Sequence, residues 1–303
     1  LEDFYVGGAS GQLGALFVQT TPGKFNDLTL QSDNAPAEDA AALFLDVDND
    51  GDQDLYLASG GSEQLEGDEA LEDRLFINES TGKQVVFQAT ARTLPRIRRN
   101  TAVVKSLDIN KDGYADVFAG VRSVPGYYGK LPDSYVLINK EGQGFERGKT
   151  TDFSALQELG MVKDAFVADL NGDQYPELIV VGEWMPVTIL WNEAGTFTSK
   201  TELENTEGWW NAIKLIEKEG NTWQFALGNF GLNSMFEAST ANPISLYVND
   251  FDKNGSVEAL YTKNENGKDF PYHLKGDLQK EYIALKKKYL YHKDYANKSM
   301  TAI

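Results

Sequence analysis

Four stretches of the chain space their oxygen side chains identically: Asp46-x-Asp48-x-Asp50-Gly51-x-x-Asp54, Asp108-x-Asn110-x-Asp112-Gly113-x-x-Asp116, Asp169-x-Asn171-x-Asp173-x-x-x-Glu177 and Asp250-x-Asp252-x-Asn254-Gly255-x-x-Glu258. Side-chain oxygens at positions 1, 3, 5 and 9 suit a hard cation that takes six to eight oxygen ligands, and calcium fits best. The residues at position 7, Asp52, Tyr114, Tyr175 and Ser256, would add main-chain carbonyls. Glycine at position 6 lets the backbone reverse at positive φ. We therefore expect up to four Ca²⁺ ions.

These are not EF-hands. An EF-hand needs flanking helices and a bidentate Glu at position 12, and position 12 here is Leu57, Ala119, Val180 and Tyr261. The flanks read as strands: Ala42–Leu45 and Leu55–Leu57 around the first loop, Ala102–Val104 and Val117–Ala119 around the second, Ala165–Val167 and Leu178–Val181 around the third. Each loop should join two short strands.

The first aspartates lie 62, 61 and 81 residues apart, a period that points to a repeat architecture. A third strand ending in Asn recurs at Arg74–Asn78, Tyr135–Asn139 and Thr188–Asn192, and a fourth near Val85–Phe87, Gly144–Phe145 and Gly195–Phe197. Four strands per repeat is the pattern of a propeller blade. Phe4–Gly8, Ala15–Val18 and Gly23–Phe25 read as second to fourth strands, so the chain enters mid-blade.

The loops resemble the calcium loops of FG-GAP (VCBS) repeats, found in integrin α-subunit propellers and in secreted bacterial proteins. Gly126-Tyr127-Tyr128-Gly129, Gly160-Met161-Val162-x-Asp164-Ala165, Val181-Gly182-Glu183-Trp184-Met185-Pro186, Gly208-Trp209-Trp210-Asn211 and Gly228-Asn229-Phe230-Gly231-Leu232-Asn233 are similar to exported Bacteroidetes-type proteins related to cartilage acidic protein. The resemblance covers most of residues 4 to 262. It implies an all-β fold, a β-propeller of four-stranded blades with calcium-binding hairpin loops, incomplete and with about five blades present. It names no ligand. Two departures stand out: Ile213–Trp223, where the family has another calcium loop, lacks a position 9 acid and reads as a hairpin that has lost its metal. The third loop has Gln174 where glycine is expected, so that site should be distorted or weaker.

At 41% hydrophobic, a single propeller can use the whole length of 303 residues, and no apolar run is long enough to span a membrane. The chain has no cysteine, which removes disulfides and thiolate metal sites. It opens at Leu1 without a signal peptide, as a matured or excised fragment would. The net charge is −18, with fourteen carboxylates in the four loops, so four Ca²⁺ would bring it to about −10. Nucleic acid is not an expected partner. Arg96-x-Arg98-Arg99 is the one compact basic cluster before the tail; it reads as a solvated loop balancing nearby acid, or as a partner contact.

From residue 268 the character changes, giving an expected division into a propeller segment, 1–267, and a helical insertion or tail, 268–303. Leu278, Tyr282, Leu285, Tyr289 and Ala296 fall at helical spacing between Asp277 and Ala296, and such a stripe packs on protein or lies on a membrane surface. The sequence stops inside this element, so we expect further blades in a longer parent chain. Only two histidines occur, His273 and His292, and neither a Gly-x-Ser-x-Gly nor a nucleotide-binding fingerprint is present. Tyr127, Tyr128, Trp184, Trp209 and Trp210 lie beside Gly or Pro turns, either as packing between blades or as a platform for sugar rings.

The sequence thus reads as a calcium-binding, non-catalytic binding or scaffold module of an exported or cell-surface bacterial protein, meeting protein or glycan at its loops. The alternatives are a lectin-like glycan-binding propeller and a calcium-dependent carbohydrate-active enzyme such as a polysaccharide lyase.

Overall fold

The computed structural model describes residues 2–30, 37–82, 84–89, 94–220, 222–231 and 234–303. Asn221 of the metal-free hairpin, and Leu232 and Asn233 of the last family-like segment, lie outside the described residues. The fold is all-β with antiparallel pairing and a few short helices. Contacts divide it into two compact units, one of residues 1–126 and 131–229, the other of residues 127–130 and 230–303.

In the first unit the strands form successive meanders. A three-stranded sheet holds β1 (Phe4–Val6), β2 (Ala15–Thr21) and β3 (Lys24–Thr29). Two four-stranded sheets follow: β4 (Glu38–Leu45), β5 (Asp54–Gly60), β6 (Arg74–Asn78) and β7 (Phe87–Ala89), then β8 (Asn100–Leu107), β9 (Asp116–Ser123), β10 (Tyr135–Asn139) and β11 (Phe145–Arg147). The next meander comprises β12 (Met161–Ala168), β13 (Glu177–Met185), β14 (Thr188–Trp191) and β15 (Ser199–Glu202). The far end of β13 also pairs with β16 (Gly208–Glu219), which forms a hairpin with β17 (Thr222–Asn229).

The second strand of each sheet explains the stacking. β5 is buried along its whole length and nearly continuously apolar, the signature of a strand covered on both faces. Because side chains alternate, Leu55 and Leu57 pack with Leu30 and Leu28 of the preceding segment, while Tyr56 and Ala58 pack with Val117 and Ala119 of the next sheet. The same division recurs one sheet later, where Phe118 faces Val162 and Leu178 while Val117 faces back. In β13, Leu178 and Val180 face backward while Ile179 and Val181 meet Ile213 of the hairpin. Sheets therefore stack face to face in chain order. The hydrogen-bonded sheets form no closed barrel among the described residues.

β6 and β10 have the expected bounds. The fourth strand of the β12–β15 meander does not, since it begins at Ser199 rather than at Gly195–Phe197. Phe197 is instead fully buried, donating its N–H to the Asp152 carbonyl and accepting from Ala155 N–H, so core packing claims it.

The second unit holds a sheet of β18 (Ile244–Asn249), β19 (Glu258–Glu265) and β20 (Lys268–Pro271), followed by α1 (Lys275–Glu281), α2 (Ala284–Lys288) and α3 (His292–Tyr295). Residue 267, where the sequence suggested a boundary, lies in the β19–β20 turn. The single expected tail helix is replaced by three short ones. Neither α1 nor α2 has a side-chain cap at its N-terminus, so packing rather than helix propensity holds them. The expected stripe packs except at its end: Leu278, Leu285 and Tyr289 are buried with Leu260, Tyr282 lies against them, and Ala296, past the end of α3, is exposed. Lys286, Lys287 and Lys288 stay exposed. Among the described residues no helix is long and apolar enough to cross a membrane.

Candidate functional site

The four acidic loops share one hydrogen-bond scheme. The position 9 carboxylate of Asp54, Asp116, Glu177 or Glu258 accepts the N–H of position 2 (Val47, Ile109, Leu170, Phe251) at 2.7–2.9 Å. The position 1 carboxylate accepts the N–H of position 6 at 3.0–3.1 Å. Side chains at position 3 accept from position 5, and those at position 5 from position 7, the latter at 2.6–3.0 Å. Each loop is thereby curled around its own side-chain oxygens. The carboxylates of Asp46, Asp48 and Asp50 reach within 4.8 Å of one another, as do those of Asp250, Asp252 and Glu258. In the second and third loops Asn110 and Asn171 stand at position 3, and each donates its amide to the position 5 aspartate, at 2.9 and 3.0 Å.

The curl needs two residues at positive φ. Position 6 is Gly51, Gly113 and Gly255 in three loops, and position 4 is Asn49, Lys111 and Lys253, with φ near 60°. The third loop reverses the assignment: Gly172 takes position 4 and Gln174 takes position 6, at φ 70°. Every loop thus places one glycine and one side-chain residue in the left-handed region. The third loop keeps the shared scheme with its strained residue moved to Gln174, and differs in that Asp169 also accepts the N–H of Gly172 at position 4, where Asp108 and Asp250 accept that of position 5.

Burial perturbs the position 9 acids. Asp54 and Asp116 are almost wholly inaccessible, and desolvation pushes each carboxyl up to about 6. Desolvation also raises Glu177, and it raises Asp52 together with repulsion from Asp50, Asp48 and Asp46. Asp54 and Asp116 accept a second N–H each, from Asn78 and Asn139, on the other oxygen. Asp46 Oδ1, Asp52 Oδ1 and Glu177 Oε1 are buried without a hydrogen-bond partner. Clustered carboxylates with orphaned buried oxygens are the donor set a hard divalent cation satisfies, and Asp46, Asp48, Asp50 and Asp54, with their counterparts, could hold one.

Contacts between loops were not legible from spacing. Asn49 donates its amide to the Gly113 carbonyl at 3.1 Å, and Lys111 donates its ammonium to the Asp173 carbonyl at 2.9 Å while lying 3.7 Å from the centre of the Tyr175 ring. Asn139 and Asn192, recognised in the sequence only as punctuation after the third strand, donate back to the position 2 carbonyls of Val47 and Ile109 in the preceding loops, at 2.8 and 3.0 Å. The first three loops are therefore linked in series.

The aromatic candidates separate into groups. Trp184 and Trp209 are brought together, ring centroids 5.1 Å apart. Trp210 donates its indole N–H to the Thr206 carbonyl and packs over Gly208. In the second unit Tyr128 lies 6.3 Å from Tyr261 within a cluster containing Phe236, Tyr272 and His273, and Tyr127 lies beside Lys130. Of the basic cluster, Arg98 pairs with Glu72 and Glu69 at 2.8 and 3.1 Å, the acid-balancing arrangement.

Comparison with known proteins adds one local assignment. No curated protein sequence matches the chain. Among solved structures the chain is similar to the crystal structure of the V. cholerae biofilm matrix protein Bap1, with 14% identity over 70% of this chain and 41% of that one, at a TM-score of 0.28. The chain thus spans less than half of that protein. The FG-GAP-like repeat family matches residues 46–119, from the first aspartate of the first loop through the second loop and into β9.

Proposed function

We propose that the chain is a calcium-stabilised, non-catalytic binding or scaffold module of an exported or cell-surface bacterial protein, and that its stacked sheets are an arc of a β-propeller. The observation that carries this reading is the hydrogen-bond scheme repeated in all four loops, which curls each around its acidic side chains and leaves buried carboxylate oxygens without partners. The FG-GAP-like match over residues 46–119 supports it. The sheet stacking supports the propeller part, since blades meet face to face through their central strands.

In this reading Asp46, Asp48, Asp50 and Asp54, Asp108, Asn110, Asp112 and Asp116, Asp169, Asn171, Asp173 and Glu177, and Asp250, Asp252, Asn254 and Glu258 hold the ions, with the main-chain oxygens of Asp52, Tyr114, Tyr175 and Ser256 adding a ligand each. The ions would cancel repulsion among the acids and join the ends of neighbouring strands. Partners would be protein or glycan, with neither nucleic acid nor a membrane span involved. Isothermal titration of metal-free protein with calcium tests the assignment: uptake approaching four ions per chain is expected, and no heat together with an unchanged melting curve would refute it. A lectin-like reading is favoured specifically by the Trp184–Trp209 pair.

A further inference from the structure

Glu183, at the end of β13 away from the third loop, is 4% exposed and is shared by two cations. Arg122 donates to its Oε1 through Nε and a terminal nitrogen, at 3.1 and 2.9 Å, and the Lys163 ammonium stands 4.0 Å away. One carboxylate thus faces two positive charges. The Arg122 side chain is 42% exposed and that of Lys163 24%, so an external anion can reach the cations although Glu183 itself is covered. Burial and the nearby Arg122 lower the Lys163 pKa, and Glu183 partly offsets them.

The aromatic pair belongs to the same place. Glu183 is the cross-strand partner of Trp209, which puts their side chains on one face of the sheet. Trp184 follows at an irregularity in the pairing, and its backbone is left-handed at φ 58°. A bulky residue in that region is an outlier, and such strain concentrates at ligand sites. Here the irregularity accompanies the approach of the Trp184 ring to Trp209. Both indoles remain partly exposed.

We propose that Arg122, Lys163, Trp184 and Trp209 form a binding site for an acidic sugar, the uronate carboxylate meeting the two cations and the face of the pyranose ring lying against the indoles. A guanidinium matches a carboxylate bidentately, and a flat ring covers the apolar face of a sugar without demanding hydrogen bonds. None of the loop residues takes part, so the site stands whether or not the loops hold calcium. The ligand would be a uronate-containing polysaccharide chain.

The test uses the whole chain at one fixed calcium concentration, with tryptophan fluorescence and calorimetry as readouts. The probes are a short oligogalacturonate, a sulfated oligosaccharide of similar charge and a neutral oligogalactose. The oligogalacturonate should bind, change the indole emission and weaken as salt rises, whereas the neutral sugar should not bind. Arg122→Gln, Lys163→Gln and Trp209→Ala should each weaken binding by about tenfold or more when read well below the melting transition of each variant, with the thermal midpoint preserved in Lys163→Gln, and Glu183→Gln should tighten it by releasing both cations. A cluster that serves packing alone would move melting and leave no acidic sugar bound. Failure of every acidic oligosaccharide to bind the folded protein, or binding that survives both Arg122→Gln and Trp209→Ala, overturns the proposal. Stronger binding of the sulfated probe overturns the uronate assignment.

Discussion

The same nine-residue pattern builds an array in the first unit and a single loop in the second. The first three loops are linked through Asn49, Lys111, Asn139 and Asn192, and their position 9 acids, Asp54, Asp116 and Glu177, are buried at the starts of β5, β9 and β13. The fourth loop caps a three-stranded sheet whose apolar residues are covered by short helices. Internal geometry is nearly identical in both places. What differs is the number of neighbouring groups that depend on each loop, so equal chemistry should have unequal consequences for stability.

Metal removal should expose that inequality most. A site occupied at about 100 times its dissociation constant contributes about 2.7 kcal/mol, and under the proposed assignment the first unit would hold three ions against one. Calorimetry before and after chelation is expected to lower the transition of the first unit well below its calcium-loaded midpoint and to move the second by less. Equal shifts would mean that the links between loops carry no coupling.

Acidity should act in the same unit. Asp54, Asp116 and Asp73 each have their carboxyls raised to about 6 by burial, Asp73 while accepting Tyr56 and Tyr135 hydroxyls at 2.5 and 2.6 Å. A raised carboxyl binds its proton more tightly in the folded state, so stability is greatest below the unfolded value and is lost as pH rises toward 6. Metal-free protein should therefore be more stable at pH 4.5 than at pH 7, by up to about 2 kcal/mol per group before relaxation is counted. Calcium should reverse the trend for Asp54 and Asp116, which it would hold ionised; thermal scans at both pH values, with and without metal, check the sign.

A third comparison sets Asp116 against Glu258. Asp116→Ala orphans two backbone N–H groups, those of Ile109 and Asn139, whereas Glu258→Ala orphans the one of Phe251. At about 1–3 kcal/mol for each unsatisfied buried group, Asp116→Ala should cost more by roughly that amount in denaturant titrations of metal-free protein. The smallest effects concern the backbone and the links. Gln174→Gly should stabilise the third loop by up to about 1 kcal/mol, because Gln174 stands at φ 70°, and Gly172→Ala should destabilise it by a similar amount. Lys111→Met should cost about 0.5–1 kcal/mol and reduce coupling between terbium binding at the second and third loops, read from luminescence sensitised by Tyr114 and Tyr175.

Much of this organisation was written locally. The loop hydrogen bonds run between residues no more than seven apart, so spacing alone located all four loops, and short apolar runs located the strands around the first three. The buried stripe of Leu278, Leu285 and Tyr289 was likewise legible from periodicity. Spacing could not reveal that Lys111 reaches Asp173, that Asn139 reaches Val47, or that Arg122 and Trp209 flank Glu183, because those contacts join segments separated by 26 to 92 residues. Nor could it reveal that the tail breaks into three helices or that Phe197 leaves the strand for the core. Local pattern sets which backbone hydrogen bonds are available, whereas packing of one sheet on the next decides which side chains meet and which strained conformations the surrounding structure can hold.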